Sequence, residues 1–295
     1  MNVSPEDMSR IFEEVQTMDS TNDRFKYLKV RRQDKWYFVK IAQNDEAREG
    51  LLREYLWSEF MERVMVLMPA LKLDGPHIFK RIGTGALVFE WIDGAPVAAS
   101  WDIEAWRRNM RRYADMHVLL DKAAGDYSLP QVYTKLAHRD TPETTWKRWS
   151  SDGVDEQTIE KAREVFRLYQ HHVTLRLQHG DLWPWEIFAI NDRWIVVDGE
   201  RAGIDLPRFY DVARSYTKLY AETDNPEMAK EFLRAVAGGL GLPQQDFYKQ
   251  FLPVLLVQAI TRLSEASSRG DDNAKSFASS LVEICLSQQP ERLFD

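Results

Sequence analysis

The chain has 295 residues, enough for about two domains of ordinary size, and its 44% hydrophobic and 29% charged content suits a globular protein with a sizeable core. Thirty-nine basic residues against 46 acidic ones give a net charge of -7, which argues against a broad nucleic-acid-binding surface. A single cysteine, Cys285, excludes an internal disulfide and multi-cysteine zinc modules, and the longest nearly uncharged apolar stretch, 251–260, is half the length a bilayer crossing needs. The polar, acidic start lacks the basic and apolar run of a signal peptide, so the expectation is a cytoplasmic protein without a membrane or nucleic-acid partner.

The first third reads as strands around one long helix. Phe25–Arg32 and Lys35–Ala42 are rich in aromatic and β-branched residues, and Gln33-Asp34 between them predicts a tight hairpin. The apolar spacing of Leu51, Leu52, Tyr55, Leu56, Phe60 and Val64 predicts a helix over Asp45–Leu67. Two more strands, His77–Ile82 and Ala86–Trp91, turn through Gly83-Thr84-Gly85. Asp93-Gly94-Ala95-Pro96 then breaks the pattern and places a boundary between a first lobe, 1–93, and a second, 94–295. The second is mostly helical, with amphipathic segments at Glu104–Leu120, Asp155–Arg176, Leu206–Ala221, Glu227–Leu240, Gln244–Arg269 and Asp272–Leu286. One island, His179–Gly203, interrupts the helices with two short strands, Glu186–Ile190 and Arg193–Val197, joined by Asn191-Asp192.

Two aspartates, Asp181 and Asp198, bracket that hairpin, each where a strand meets a loop. Either alone is explained by a turn or a helix cap. Together they suit a division of labour, one acid handling a proton and the other holding a divalent cation with substrate phosphates.

His179-Gly180-Asp181-Leu182, followed by Val197-Asp198-Gly199-Glu200-Arg201-Ala202-Gly203, resembles the catalytic loop and metal-binding motif of kinases. In this form it is similar to the aminoglycoside phosphotransferase and choline kinase-like group of small-molecule kinases, as is Tyr210-Asp211-Val212-Ala213. The resemblance runs from about Arg24 to Ala213. It implies an α+β, protein kinase-like bilobal fold, with a small β-rich N-lobe that binds nucleotide and a larger helical C-lobe carrying the catalytic loop.

It also implies roles. Asp181 would orient and deprotonate an acceptor hydroxyl, and Asp198, with Glu186 as second ligand, would hold Mg²⁺. Lys40, ending the Phe38-Val39-Lys40 strand, would reach the α/β-phosphates of ATP, held by Glu54 fourteen residues later. The carbonyl of Glu90 and the N–H of Ile92 would bond the adenine edge, and Asp211 would anchor the catalytic loop. The expected activity is ATP-dependent phosphorylation of a small-molecule hydroxyl, on an aminoglycoside-, choline- or sugar-like acceptor.

Two departures bear on that expectation. The phosphate-covering stretch 17–23 has no glycine, leaving Ser20, Thr21 and Asn22 as donors beside two aspartates. Glu186 stands where the family has asparagine, adding a charge near Asp181 and Asp198. Two like charges at about 4 Å cost about 4 kcal/mol at an effective dielectric of 20, unless a cation lies between them. A degenerate kinase fold that binds nucleotide without turnover is therefore the rival reading. Three other features were weighed. The arginines at 107, 108, 111 and 112 are explained by surface pairing with Glu104 and Asp115. His171-His172 has no partner ligand set for zinc. Trp183 and Trp185 fit a packed loop, or a wall for a cationic substrate.

Overall fold

A computed structural model describes residues 3–19, 23–67, 69, 72–100, 103–126, 142–222, 226–289 and 291–294. The chain opens with a short helix, α1 (Pro5–Ser9), started by a capping box in which Ser4 and Asp7 bond each other's backbone N–H. β1 (Glu14–Met18), β2 (Phe25–Arg32) and β3 (Lys35–Ala42) follow as an antiparallel meander. Gln33 and Asp34 both take positive φ, 51° and 63°, the left-handed pair that a two-residue hairpin requires, here formed without glycine.

The long helix α2 (Asp45–Leu67) comes next, then β4 (Leu73–Asp74), β5 (Ile78–Ile82), β6 (Ala86–Glu90) and β7 (Ala95–Pro96). The main sheet has the order β1-β2-β3-β6-β5. Strand alternation separates its two faces. Tyr37, Val39 and Ile41 of β3 pack with Leu28, Val30, Val88 and with Met8 and Phe12 beside α1. The other face carries Phe25, Leu87 and Phe89 against Ala47 and Leu51 of α2, and partly buried Phe38. Lys40, even-numbered like Phe38, falls on this second face.

After β7 come α3 (Ile103–Asp126), α4 (Pro142–Ser151), α5 (Glu156–Tyr169) and β8 (Leu175–Gln178). The island supplies β9 (Ile187–Ile190), β10 (Arg193–Val196) and β11 (Gly203–Pro207). Helices α6 (Tyr210–Glu222), α7 (Pro226–Leu240), α8 (Gln244–Arg269), α9 (Asp272–Ser287) and α10 (Glu291–Phe294) complete the chain. Here the structure corrects two predicted helices. The segment predicted as helical over Asp155–Arg176 ends at Tyr169, and Leu175–Gln178 is a strand. The helix predicted from Leu206 starts at Tyr210, because Leu206 and Pro207 pair with Arg176 and Leu175. In both places a short apolar run adjoins a true amphipathic helix, and tertiary pairing decides what periodicity alone leaves ambiguous.

The chain divides into two compact units, Met1–Trp101 with Trp183–Ala202, and Asp102–Leu182 with Gly203–Asp295. The β9–β10 hairpin therefore packs with the first unit, in a small sheet of order β4-β10-β9-β7. The sequence boundary after Asp93 kept it with the helical part, since a register partner such as Leu73 opposite Trp194 is invisible in one dimension. The second unit is helical around the antiparallel β8–β11 pair. No helix among the described residues is long and apolar enough to cross a membrane.

Candidate functional site

In the first unit, β3 delivers Lys40 to a place where it is only 2% exposed. A buried ammonium needs compensating charge, and three carboxylates supply it. Lys40 Nζ lies 3.0 Å from Glu54 Oε2, 2.7 Å from Asp198 Oδ1 and 2.7 Å from Glu200 Oε2. The Phe25 ring lies 4.4 Å away, adding an aromatic face. Burial pushes the Lys40 ammonium down, but Glu54, Asp198 and Glu200 together hold it well above its ordinary value. The same arithmetic penalises the acids, since three carboxylates share one ammonium. Burial, with a smaller push from Asp198 and Glu200, raises the Glu54 carboxyl to about 7 despite Lys40 beside it.

The loop that carries Asp198 and Glu200 is shaped by backbone as much as by side chains. Asp198 takes a left-handed φ of 63°, which turns the chain out of β10 into a single 3₁₀ turn over Gly199–Arg201. Gly199 lies so close to α2 that a Cβ there would sit 2.5 Å from Trp57 Cβ, so only glycine fits. Arg24 Nη1 bonds Glu200 at 3.1 Å and fixes the far side of that carboxylate. Arg53 Nη1 bonds the Ala202 carbonyl at 3.2 Å. Helix α2 thus supplies both Glu54 and the surface that shapes the Asp198 loop.

A cavity of about 360 Å³ opens beside this cluster. Lys40, Glu54, Glu90, Ile92, Asp198 and Glu186, six of the residues singled out from sequence, all line it. Tyr27, Phe38 and Phe89 form an aromatic wall, with Phe38 stacked between the other two at centroid distances of 5.5 and 6.2 Å. At the rim the N–H groups of Glu90 and Trp91 donate to His77 and Trp36 carbonyls at 3.0 and 3.1 Å. The sheet ladder ends there, and Ile92 is the first residue past it. Glu186 reaches the cavity from a 3₁₀ turn, with its carbonyl accepting from Val197 N–H at 2.8 Å, which sets it next to Asp198 across the hairpin. Ser20 and Thr21, the other two nucleotide-side candidates, lie outside the described residues. Trp185 is half exposed, and neither it nor Trp183 lines this cavity.

Asp181 belongs to the second unit, and its surroundings have the opposite sign. Arg214 holds its Oδ1 from Nε at 2.7 Å and from Nη2 at 2.5 Å, and Lys218 Nζ stands 3.6 Å away. Backbone position comes from buried Asp211 at the start of α6, whose carboxylate accepts from the His179 and Gly180 N–H groups at 2.7 and 2.9 Å. Gly180 supplies the φ of 83° that this turn requires. Burial raises the Asp211 carboxyl, opposed by His179 and by those N–H donors. A second clamp fixes Leu182, whose carbonyl accepts from Tyr113 at 3.3 Å and Ser215 at 3.2 Å. His117 lies 3.3 Å from Ser215, and burial lowers its imidazole to about 3, so it stays neutral.

The phosphotransferase enzyme family matches the chain over residues 18–248. The chain belongs to that family. Its fold is protein kinase-like, and it is a phosphotransferase of small-molecule hydroxyl groups. Among solved structures, a thermostable mutant of aminoglycoside phosphotransferase (4)-Ia in ternary complex with ADP and hygromycin B matches with a TM-score of 0.62 at 11% identity, covering 96% of this chain and 98% of that one. An ethanolamine kinase from Plasmodium vivax matches with a TM-score of 0.58 at 13% identity, over 92% of this chain and 82% of that one. A GDP and kanamycin complex of an aminoglycoside 2″-phosphotransferase matches with a TM-score of 0.55 at 15% identity, over 94% of each chain. No curated protein matches the chain.

Three charged residues of this phosphotransferase were given no role from its sequence: Glu200, Arg214 and Lys218. Glu200 lies two residues after Asp198 in the motif, so a turn that folds back can return it to the same lysine. Arg214 and Lys218 follow Asp211 by three and seven residues, spacing that keeps one helical face. Asp211 opens that helix and holds the His179 and Gly180 N–H groups, so the face it begins is the one that meets the catalytic loop.

Proposed function

We propose that this phosphotransferase moves the γ-phosphoryl group of ATP to the hydroxyl of a small molecule. The observation that carries this reading is Lys40, held by Glu54, Asp198 and Glu200 at the inner end of a cavity walled by aromatic rings. The aromatic wall suits a purine, with the Glu90 carbonyl and the Ile92 N–H as its edge contacts. Lys40 then faces the α/β-phosphates, and Glu54 holds Lys40 in place. The neighbours solved with ADP or GDP support a nucleotide donor.

The donor set also suits Mg²⁺. Mg²⁺ characteristically takes one or two carboxylates together with substrate phosphates, and Asp198 and Glu186 line the same cavity as Lys40. We assign the metal to Asp198 and Glu186. When bound, the metal would offset the charge of the phosphates against theirs.

On the acceptor side Asp181 takes the hydroxyl proton as the acceptor oxygen bonds to the γ-phosphorus and the bond to the β-bridging oxygen breaks, releasing ADP. The first unit, Met1–Trp101 with Trp183–Ala202, contributes the nucleotide side, and the second, Asp102–Leu182 with Gly203–Asp295, the proposed base and acceptor side. We assign the protein to the cytoplasm, where ATP is supplied and the buried thiol of Cys285 stays reduced. The test is ADP release from Mg-ATP against a panel of hydroxylated metabolites and antibiotics, run on wild type and on Asp181→Asn. Turnover of the variant is expected to fall by on the order of 10²–10⁴ while Mg-ATP affinity is kept. Equal turnover in the two proteins sinks the assignment of Asp181.

Glu186 in the family's asparagine position favours a second reading, a module that binds nucleotide and does not turn it over. Tight Mg-ATP binding with no ADP release on any acceptor would select it.

A further inference from the structure

The second unit holds a cavity of about 590 Å³, larger than the one beside Lys40 and inside the size range of small-molecule sites. Its walls are apolar and aromatic, led by Trp146, Trp149, Phe166, Leu206, Val254 and Val257. Trp149 stands nearly perpendicular to Trp146 at 5.3 Å and ties its indole N–H to Thr261 at 3.2 Å, so the aromatic corner is fixed before any ligand arrives. Among the described residues its lining charges are two guanidiniums, Arg148 and Arg214, against one carboxylate, Asp205. Arg214 lines the cavity and is also the residue bonded to Asp181, so one side chain separates this wall from the proposed base.

This balance is wrong for a polycation. Several ammonium groups would find one carboxylate and two like charges among these residues, in walls that offer little water. The Trp146 ring already has the guanidinium of Arg163 over it at 5.4 Å, so it is not a free aromatic face for another cation. An apolar body gains by covering the indoles and aliphatic side chains, and a single hydroxyl finds partners at the wall that carries Arg214, Tyr210 and Gln258. We propose that this cavity is the acceptor site and that it takes an uncharged alcohol with an apolar or aromatic body rather than an aminoglycoside. The proposal rests on Asp181 as the base and adds the class of acceptor.

The experiment titrates the full chain, without nucleotide, with 2-naphthaleneethanol and separately with kanamycin, reading heat and tryptophan fluorescence. Saturable binding of one naphthyl alcohol per chain is expected, with kanamycin at least tenfold weaker. Val257 is half-buried in the wall, and Val257→Asp, which adds a carboxylate there, should weaken the alcohol at least tenfold and narrow the gap to kanamycin. Should that variant not fold, Val257→Thr keeps the shape and should weaken the alcohol severalfold. Kanamycin binding as tightly as the alcohol, or alcohol affinity unmoved by either variant, overturns the proposal. Turnover is read in parallel and separates the two claims. An alcohol that binds in a Val257-dependent way and yields no ADP with Mg-ATP breaks the phosphotransfer reading while the ligand class stands. ADP release on kanamycin in preference to the alcohol breaks the ligand class while phosphotransfer stands.

Discussion

Lys40 and Asp181 solve the same electrostatic problem with opposite excesses. Around Lys40 three carboxylates share one ammonium and, at Glu200, the guanidinium of Arg24; with Glu186 also in the lining, the cavity of the first unit carries surplus negative charge. Around Asp181 a guanidinium and an ammonium share one carboxylate, so the second unit carries surplus positive charge there. A surplus of carboxylates is unfavourable in isolation and is relieved by a cation, which suits a site that works with metal and phosphate together. Two cations around one acid fix where its carboxylate points, which suits a residue that orients an acceptor hydroxyl. Each excess is matched to the chemistry proposed for it, and each offers a way to test the pairing.

The largest effect belongs to Lys40. Lys40→Ala removes the ammonium that the three carboxylates share and should lower kcat/KM by on the order of 10²–10³, the usual worth of one preorganised charge contact to the reacting group. Glu54→Ala should cost less, because Asp198 and Glu200 still hold the lysine. The double variant should be little worse than Lys40→Ala alone, since Glu54 acts through Lys40. Strictly additive losses in that cycle would break the pairing.

Much of this arrangement is legible in the sequence, for identifiable reasons. Strand alternation puts Lys40 on the face opposite Val39 and Ile41, and helical spacing turns Glu54 inward with Leu51. The two aspartates stand out because the motif around them is long. Asp211 is legible as an anchor because it opens a helix just downstream of the catalytic loop. What escaped depends on register and close approach between distant segments. Nothing local ties Arg24 to Glu200, 176 residues apart, or reveals that Gly199 must pass against Trp57. The strands at 175–178 and 203–207 are too short for periodicity, and each is defined by the other. The charge excess at each centre is likewise a property of convergence, invisible until those contacts form.

A smaller effect is expected at Glu186, which adds to the negative excess on the nucleotide side. Glu186→Asn removes one charge and keeps an oxygen donor. Metal-free ATP should bind more tightly to the variant, on the order of tenfold from one like charge fewer beside the phosphates. With Mg-ATP affinity unchanged, the gain in ATP affinity on adding Mg²⁺ shrinks by the same factor, and so does the gain in Mg²⁺ affinity on adding ATP, because coupling between two ligands is reciprocal. Calorimetric titrations of both proteins with and without Mg²⁺ measure it. Unchanged coupling would mean that Glu186 points away from the phosphates, and that Asp198 has a different partner for the metal.

The smallest effect is the most direct measure of the excess itself, because it needs no substrate. Burial raises the Glu54 carboxyl from its ordinary 4.5 to about 7 in the folded chain. Between those values the folded state binds a proton that the unfolded state has released, so stability falls as pH rises. The contribution is fully present below about 4.5 and is lost as pH climbs through about 7, the reverse of a salt-bridged surface carboxylate. Glu54→Gln removes the titration while keeping a neutral side chain of the same shape. Denaturation midpoints taken from pH 5 to pH 8 should therefore show the variant gaining on wild type as pH rises. Asp211, also raised by burial, is common to both proteins and cancels in the difference. Parallel profiles would mean that Glu54 stays ionised across the range, which requires the three carboxylates to be better balanced than one ammonium allows. A variant that gains stability at pH 8 while losing activity would show Glu54 as a residue kept at a cost to the fold, for the hold it has on Lys40.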